Sequence, residues 1–367
     1  AIYGSRAANG VILITTKKGS EGSLKLSYNG YMAAQKATRL VEMVSDYATH
    51  MELYNESVVN TNPGGLKPFE QKYIDEWRAD AGKNPLVYSN VDWRELFGNN
   101  VISQNHSLSI SGGTEKLKVF SSFGFLDNPG ILENTGFKRF SGRINMEARV
   151  KPYLTLGMLA SGNHSRNDIG VDRLDGNRAL RWIVTTNPSM IYRHPDGRYG
   201  ASNDPLGGGA GTNNALATVN SVKGDIFNNR LAARFYGILN PLKGLTLESS
   251  YTNEQTSYLK EQMPVYLDRW NFYTNTIVAV GAGRTSVDNS SSRTYRNFMD
   301  GIVRYKNIFA GHLDFHIMAG ASQEYYKSSN FAAFKQDLTD PSLTVLDAAT
   351  MDADVSGNAS DWAMRSY

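Results

Sequence analysis

The chain has 367 residues, of which 41% are hydrophobic and 11% aromatic, with 34 Gly and no Cys. The lack of Cys in this sequence excludes disulfides, thiolate metal sites and Cys nucleophiles. A formal charge of only +3, with basic residues scattered along the chain, gives no electrostatic footprint for nucleic acid, so no nucleic-acid partner is expected. Abundant Tyr, Phe and Gly predict strands joined by turns and polar loops.

The first stretch predicts a strand that is buried on both faces. The turn-forming pair Asn9-Gly10 precedes four consecutive apolar residues, 11–14, and Thr15 begins a polar stretch that includes two lysines. Apolar side chains on both faces are typical of a strand that lies inside protein.

The following segments predict strands with one apolar and one polar face. No run of 18 apolar residues occurs, so no membrane-spanning helix is predicted, and a β-barrel is the only structure with which this chain could cross a bilayer. In residues 140–151 the even-numbered positions are apolar or Gly, whereas the odd-numbered positions are polar or charged, including Arg143, Asn145, Glu147 and Arg149. This alternation is typical of a wall between an oily medium and water.

About nine segments alternate in this way. They are residues 23–33, 105–111, 117–125, 140–151, 154–160, 231–239, 245–251, 295–305 and 313–321.

The connections alternate between short and long. Short turns are predicted near residues 112–115, 151–152, 240–244 and 306–311, and long loops at about 34–103, 127–137, 166–226, 259–292 and 329–367. A soluble sandwich also alternates apolar and polar faces, but it does not readily sort its loops by length to opposite ends. The loop lengths therefore favour an all-β, antiparallel transmembrane barrel.

The first long loop contains two helical patterns, which we expect to pack on the loop or on the barrel rim. The first has a cap candidate at Ser45 and the second begins near Pro68. Their apolar positions are Tyr47, Met51, Tyr54 and Val58, then Phe69, Tyr73 and Trp77.

Sites for catalysis, cofactors and metals are not predicted. His312 and His316 are four residues apart, but on a strand their side chains lie roughly 13 Å from each other. Residues 352–357 resemble the first half of a calcium loop, yet Ala363 stands where the bidentate acid belongs; whether 347–361 binds calcium stays open. No catalytic triad or zinc-hydrolase motif occurs, so the chain is not expected to be an enzyme.

Six loop aromatics are candidates either for stacking on sugars or peptides or for anchoring at a membrane interface. They are Trp182, Tyr192, Tyr199, Trp270, Phe272 and Tyr273. The sequence does not select between these roles, and it identifies no substrate-contacting residue.

Several stretches, in order, resemble the SusC/RagA-type TonB-dependent outer-membrane transporters. AIYGSRAANGVILITTKKG at 1–19 resembles the segment that ends the plug of that family. VDWRELF at 91–97, QNHSLSISGGTEKLKVFSSFGFLDNPGIL at 104–132 and FKRFSGRINMEARVKPYLTLGM at 137–158 resemble its early barrel. The plug-signature residues, with a structural role, are Tyr3, Gly4, Arg6, Asn9 and Gly10.

The resemblance implies a function and partners. Members of the family import glycan oligosaccharides or peptides through a barrel of about 22 strands, in the outer membrane of Gram-negative bacteria. A SusD-like lipoprotein acts as a lid, and TonB delivers energy to the plug from a contact upstream of it. Residues 1–22 would be the end of the plug with its linker, and 23–367 the first part of the barrel. We therefore expect an internal fragment of a longer transporter.

Two alternatives stay open at this point. A passive outer-membrane barrel or surface-binding protein without energy coupling would lack a TonB-contacting segment upstream of Ala1. A soluble, secreted β-rich glycan-binding domain would need charged residues on both strand faces, and the pattern of residues 140–151 argues against that.

Overall fold

A computed structural model of the chain describes residues 15–97, 100–173, 178–205, 211–281, 283–309, 313–340 and 342–367. The plug-signature residues and the strand predicted at 11–14 lie outside these ranges, and the division between plug and barrel at residue 22 stays a prediction.

The main element is an antiparallel sheet of ten strands, named here the wall sheet. Each of its strands pairs with the wall strand that follows it in the chain, so that neighbouring strands run in opposite directions. The strands are β1 (Gly22–Gln35), β2 (Val101–Gly113), β3 (Leu117–Asn128), β4 (Phe137–Lys151), β5 (Leu154–Asp168), β7 (Val222–Leu242), β8 (Leu245–Pro264), β11 (Ser286–Phe309), β12 (Leu313–Leu338) and β13 (Ala349–Ser366).

The wall sheet has one apolar and one polar face, as the alternation predicts. On the apolar face Leu26, Leu231 and Phe235 have exposed fractions of 69%, 62% and 50%, whereas Asn145 and Glu324 on the polar face are only 3% and 4% exposed. An uncovered apolar surface that runs across many strands needs an apolar partner or lipid against it.

Four adjacent strands, the sixth to the ninth in the wall sheet, extend well past the apolar band on the side of the long loops. The strands β7, β8, β11 and β12 contain 21, 20, 24 and 26 residues, whereas about 9–11 residues suffice to cross a bilayer. Where they extend, polar residues replace apolar ones on the same face, as in the paired row Asn229, Ser257 and Arg293. The loops predicted at 166–226 and 259–292 are therefore shorter, since β5 and β7 extend into the ends of the first loop and β8 and β11 into the ends of the second.

The prediction of a long loop over 329–367 was wrong. The strand β12 continues to Leu338, and after a short connection β13 pairs with it along almost its whole length, from Ala349 to Ser366. Because Asp352 and Asp354 lie on this extended strand, the stretch does not form the compact loop that calcium binding requires.

The long loops contain four helices and a small sheet. The helices are α1 (Tyr47–Thr61), α2 (Gln71–Asp80), α3 (Arg178–Thr185) and α4 (Ala215–Val219). The small sheet joins β6 (Tyr199–Gly200), β9 (Arg269–Asn271) and β10 (Thr276–Ala279) in the order β10-β9-β6. None of the helices in the described ranges has the length and apolar character to span a bilayer.

The two helices predicted in the first long loop are confirmed as α1 and α2. The N-cap of α1 is Asp46, not Ser45, because the Asp46 carboxylate accepts a hydrogen bond of 2.7 Å from the Thr49 backbone N–H. The second helix begins at Gln71, three residues after Pro68.

Candidate functional site

The described parts of the long loops pack together into a compact unit, named here the loop cap (the described residues within 36–100, 169–221 and 265–285). One of its two cores surrounds Trp77 of α2, which is 1% exposed. The Trp77 indole contacts Tyr47 of α1 edge-on at 5.0 Å and stacks on Tyr273 at 5.4 Å, and its Nε1 donates to the Ser89 carbonyl at 3.1 Å. Residues from the first and third loops thus share one core.

The second core of the loop cap surrounds Trp93. Its Nε1 donates to the Met190 carbonyl at 3.1 Å, and the ring packs edge-on against Tyr192. The helices α3 and α4 complete this core with side chains that are almost fully buried. They are Ala179, Ile183, Ala215, Leu216 and Val219.

Two buried asparagines tie the loops together by hydrogen bonds. Asn203, which is 0% exposed, donates to the Val87 carbonyl at 3.0 Å and accepts from the Phe272 backbone N–H at 2.7 Å, so that it links three loops. Asn214 caps α4 through the Ala217 N–H at 2.9 Å, and its Nδ2 lies 2.9–3.2 Å from three carbonyl oxygens. Sequence patterns did not indicate either residue, because loop asparagines are usually exposed.

The six loop aromatics proposed from the sequence mainly build the loop cap. Trp182, Tyr192 and Tyr199 pack against the Trp93 core, and Tyr273 packs against the Trp77 core. Phe272 is buried and stacks on His194, whereas the Trp270 ring lies 4.4 Å below the guanidinium carbon of Arg198. Their packing gives them a structural role here.

Several loop-cap groups have shifted pKa values. Burial, together with the nearby Asp204 carboxylate, raises the pKa of Tyr47 well above its usual value. Burial and a 2.9 Å hydrogen bond to Glu76 raise the pKa of Tyr273 to about 12. Hydrogen bonds from Arg94 lower the pKa of Asp92. Both tyrosines therefore stay neutral at physiological pH, and Tyr273 donates its hydroxyl proton to Glu76.

The surface of the loop cap contains a cavity of about 490 Å³ between residues 81–91 and residues 191–195. Its lining is largely apolar but includes Asn90, Tyr192 and Arg193. Among the described residues, no group of three His, Asp or Glu side chains is placed to hold a metal ion. His312 of the sequence-derived pair lies outside the described ranges, and His316 is exposed beside Asp314.

The polar face of the wall sheet carries the segment that precedes β1, named here the linker segment (residues 15–21). The Asn145 side chain on β4 donates to the Lys17 carbonyl at 2.5 Å and lies 3.3 Å from the Thr16 hydroxyl. Glu147, two residues further along β4, accepts from Lys18 Nζ at 3.1 Å and from the Tyr236 hydroxyl at 2.8 Å. Two of the β4 residues that the sequence predicts to face the lumen or the plug, Asn145 and Glu147, therefore hold the linker segment.

Replacing Asn145 with alanine is expected to loosen the linker segment. The substitution removes the hydrogen bond to the carbonyl of Lys17, which contributes about 0.5–1.5 kcal/mol at this partly buried position. Faster hydrogen exchange at residues 15–21 of the complete protein would be the measurement. Arg149→Ala on the same strand is the control, since Arg149 contacts Glu115 and not the linker. Unchanged exchange in the Asn145 variant would contradict the assignment.

Several known proteins are similar to this chain in sequence or in fold. No family model matches the chain. The chain is 33% identical over 149 residues to the TonB-dependent receptor SusC of Bacteroides thetaiotaomicron, which covers 40% of this chain and 13% of that protein. It is 24% identical over 330 residues to the TonB-dependent receptor P26 of Formosa agariphila, which covers 88% of this chain and 30% of that protein.

The fold agrees with this similarity. The solved RagAB peptide transporter superimposes with a TM-score of 0.74 at 18% identity, over 99% of this chain and 42% of that chain. The chain thus resembles the SusC/RagA-type TonB-dependent transporters in sequence and in fold. It spans about a third of the length of P26 and less than half of the solved transporter. The wall sheet is accordingly part of an antiparallel outer-membrane barrel, with the apolar face toward lipid and the polar face toward the lumen.

Proposed function

We propose that this chain forms part of an energised importer for nutrients too large for porins, namely glycan oligosaccharides or peptides. The observation that carries the proposal is the linker segment on the lumenal face, held by Asn145 and Glu147. A barrel that is closed by an internal plug needs such an attachment where the chain passes from plug to wall. The RagAB structure, described as a peptide transporter, supports peptides as one of the two substrate classes.

The proposed mechanism assigns a separate task to each part. The loop cap lies at the extracellular end, where a SusD-like lipoprotein would close over the bound nutrient. TonB would pull on the plug from the periplasmic side and open a path along the lumenal wall. In this scheme the linker segment is a fixed end of the moving plug, since Glu147 and Tyr236 hold it to the barrel. The chain supplies binding surfaces and no chemical step.

Uptake in cells tests the proposal. A strain that carries the complete transporter is expected to grow on a mixture of oligosaccharides or peptides that porins exclude, and to lose this growth when TonB is deleted. A passive barrel would keep its uptake without TonB. A soluble glycan-binding protein would wash from membranes with high salt, and that result would also overturn the proposal.

A further inference from the structure

We propose that Arg143, Arg230 and Arg234 form a binding site for an oxyanion, a carboxylate or sulfate group, on the lumenal wall. The inference rests on the proposed function in one respect, since the anion would belong to the imported nutrient. Arg143 lies on β4, and Arg230 and Arg234 lie on β7. One strand, β5, separates β4 from β7 in the wall sheet.

Arg143 lies at the centre of the site. It projects from the polar face of β4 between Ser122 of β3 and Ser161 of β5, its register partners on either side. It lines two adjoining cavities of about 340 and 150 Å³. With the part of the chain that the structure describes, Arg143 forms no ion pair or hydrogen bond.

Arg230 and Arg234 approach the same space from β7. Arg230 lines the larger cavity and pairs with Glu254 at 2.8 Å. Arg234 lines the smaller cavity, where its Nε is buried and has no hydrogen-bond partner among the described residues. The nearest aromatic contact of Arg234 is the Tyr236 ring, 6.0 Å from the guanidinium carbon. Of the three guanidinium groups, only that of Arg230 forms an ion pair among the described residues.

This excess of positive charge is local. Two other arginines on the lumenal face each have an acid of their own, because Arg296 pairs with Glu324 at 2.6 Å and Arg304 with Glu248 at 2.8 Å. The sequence of residues 1–20 contains no Asp or Glu, so this stretch cannot neutralise the site. A partly buried guanidinium without a counter-charge is unfavourable, and a bound oxyanion removes the penalty.

The side chains that line the two cavities can bind either a planar carboxylate or a tetrahedral sulfate. Guanidinium groups bind carboxylate and sulfate oxygens with two parallel N–H donors. Ser122, Ser141 and Ser161 surround Arg143 with hydroxyl donors, and Asn163 adds an amide. The small side chains leave room for an anion with the sugar or peptide to which it is attached.

The test uses the complete transporter with its lid partner, crystallised and soaked in sodium selenate, which is an anomalous scatterer. We expect a selenium peak within hydrogen-bond distance of Arg143 and Arg234. The double variant R143Q/R234Q should lose this peak and bind selenate at least about tenfold more weakly, since it removes the charged hydrogen-bond donors of two guanidinium groups. The control R149Q removes an arginine of the same strand that pairs with Glu115 outside the site, and should keep the peak.

Three outcomes would overturn the proposal. These are no selenium peak at the guanidinium groups, a peak that persists in R143Q/R234Q, and a plug carboxylate that occupies the site in the complete transporter. The last outcome would make the cluster a plug contact and not a nutrient site. Selenate binding needs no energy coupling, so TonB-independent uptake together with a bound selenate would overturn the proposed function alone.

Discussion

Replacing Trp77 with alanine is expected to destabilise the loop cap by about 3–5 kcal/mol and to leave the wall sheet intact. The indole is 1% exposed and holds α1 and the Tyr273 loop against α2. The substitution also leaves the Ser89 carbonyl without its 3.1 Å donor. Because the core residues around Trp77 all belong to loops, strand pairing in the barrel does not depend on them.

Hydrogen exchange of the complete transporter measures this effect. We expect faster exchange over residues 47–80 in the Trp77 variant and unchanged exchange in β4 and β5. Tyr54→Ala is the matched control, because Tyr54 lies on α1 with an exposed fraction of 48%. Equal effects of the two substitutions would show that burial at Trp77 is not what holds the loop.

Placing arginine at Ala233 is expected to destabilise the barrel far more than placing it at Ala232. Ala233 lies on the lipid-facing side of β7 between Leu231 and Phe235, where arginine costs about 2–4 kcal/mol near the middle of the bilayer. Ala232 faces the lumen, where its register partner is Glu254. Arginine at that position lies near Arg230 and Arg234, but it stays in water, which screens the repulsion, and it is close to the Glu254 carboxylate, so its cost is far below that of burial in lipid.

The two neighbouring alanines provide a control for each other. Refolding into lipid vesicles during a urea titration, followed by the gel mobility of folded barrels, would give the two free energies of unfolding. The Ala233 variant should lose stability and the Ala232 variant should remain near the unsubstituted protein. A reversed order would contradict the orientation of the wall sheet.

The two predictions concern separate parts of the molecule. Stability of the wall follows from backbone pairing and from which face meets lipid, whereas the loop cap depends on packed aromatic cores and buried amides. The lumenal face differs from both. On this face Asn145 and Glu147 hold the linker segment. Arg143 lines a cavity on the same face and carries a positive charge, so this face both binds the linker and is proposed to bind solute.

The sequence predicts those features that repeat locally. The alternation in residues 140–151 correctly gave β4 its two faces, and the spacing from Tyr47 to Val58 correctly gave α1. Both patterns can be recognised in the sequence because β4 and α1 each have one apolar side along their length. The strand β13 was missed although apolar residues or Gly alternate with polar ones over 349–359, because most of these apolar side chains are small and the alternation stops at Asp361; its backbone bonds to β12 define the strand.

Amino-acid sequence alone thus determined the antiparallel wall and its apolar band, because both depend on neighbours within one segment. Tertiary structure alone decided how distant loops share the Trp77 and Trp93 cores, why Asn203 and Asn214 are buried, and that Lys18 reaches Glu147 and Tyr236. Only the tertiary structure showed where β7 and β11 end. Strands that extend above the bilayer are polar on both faces, so the alternation that lipid imposes is lost there.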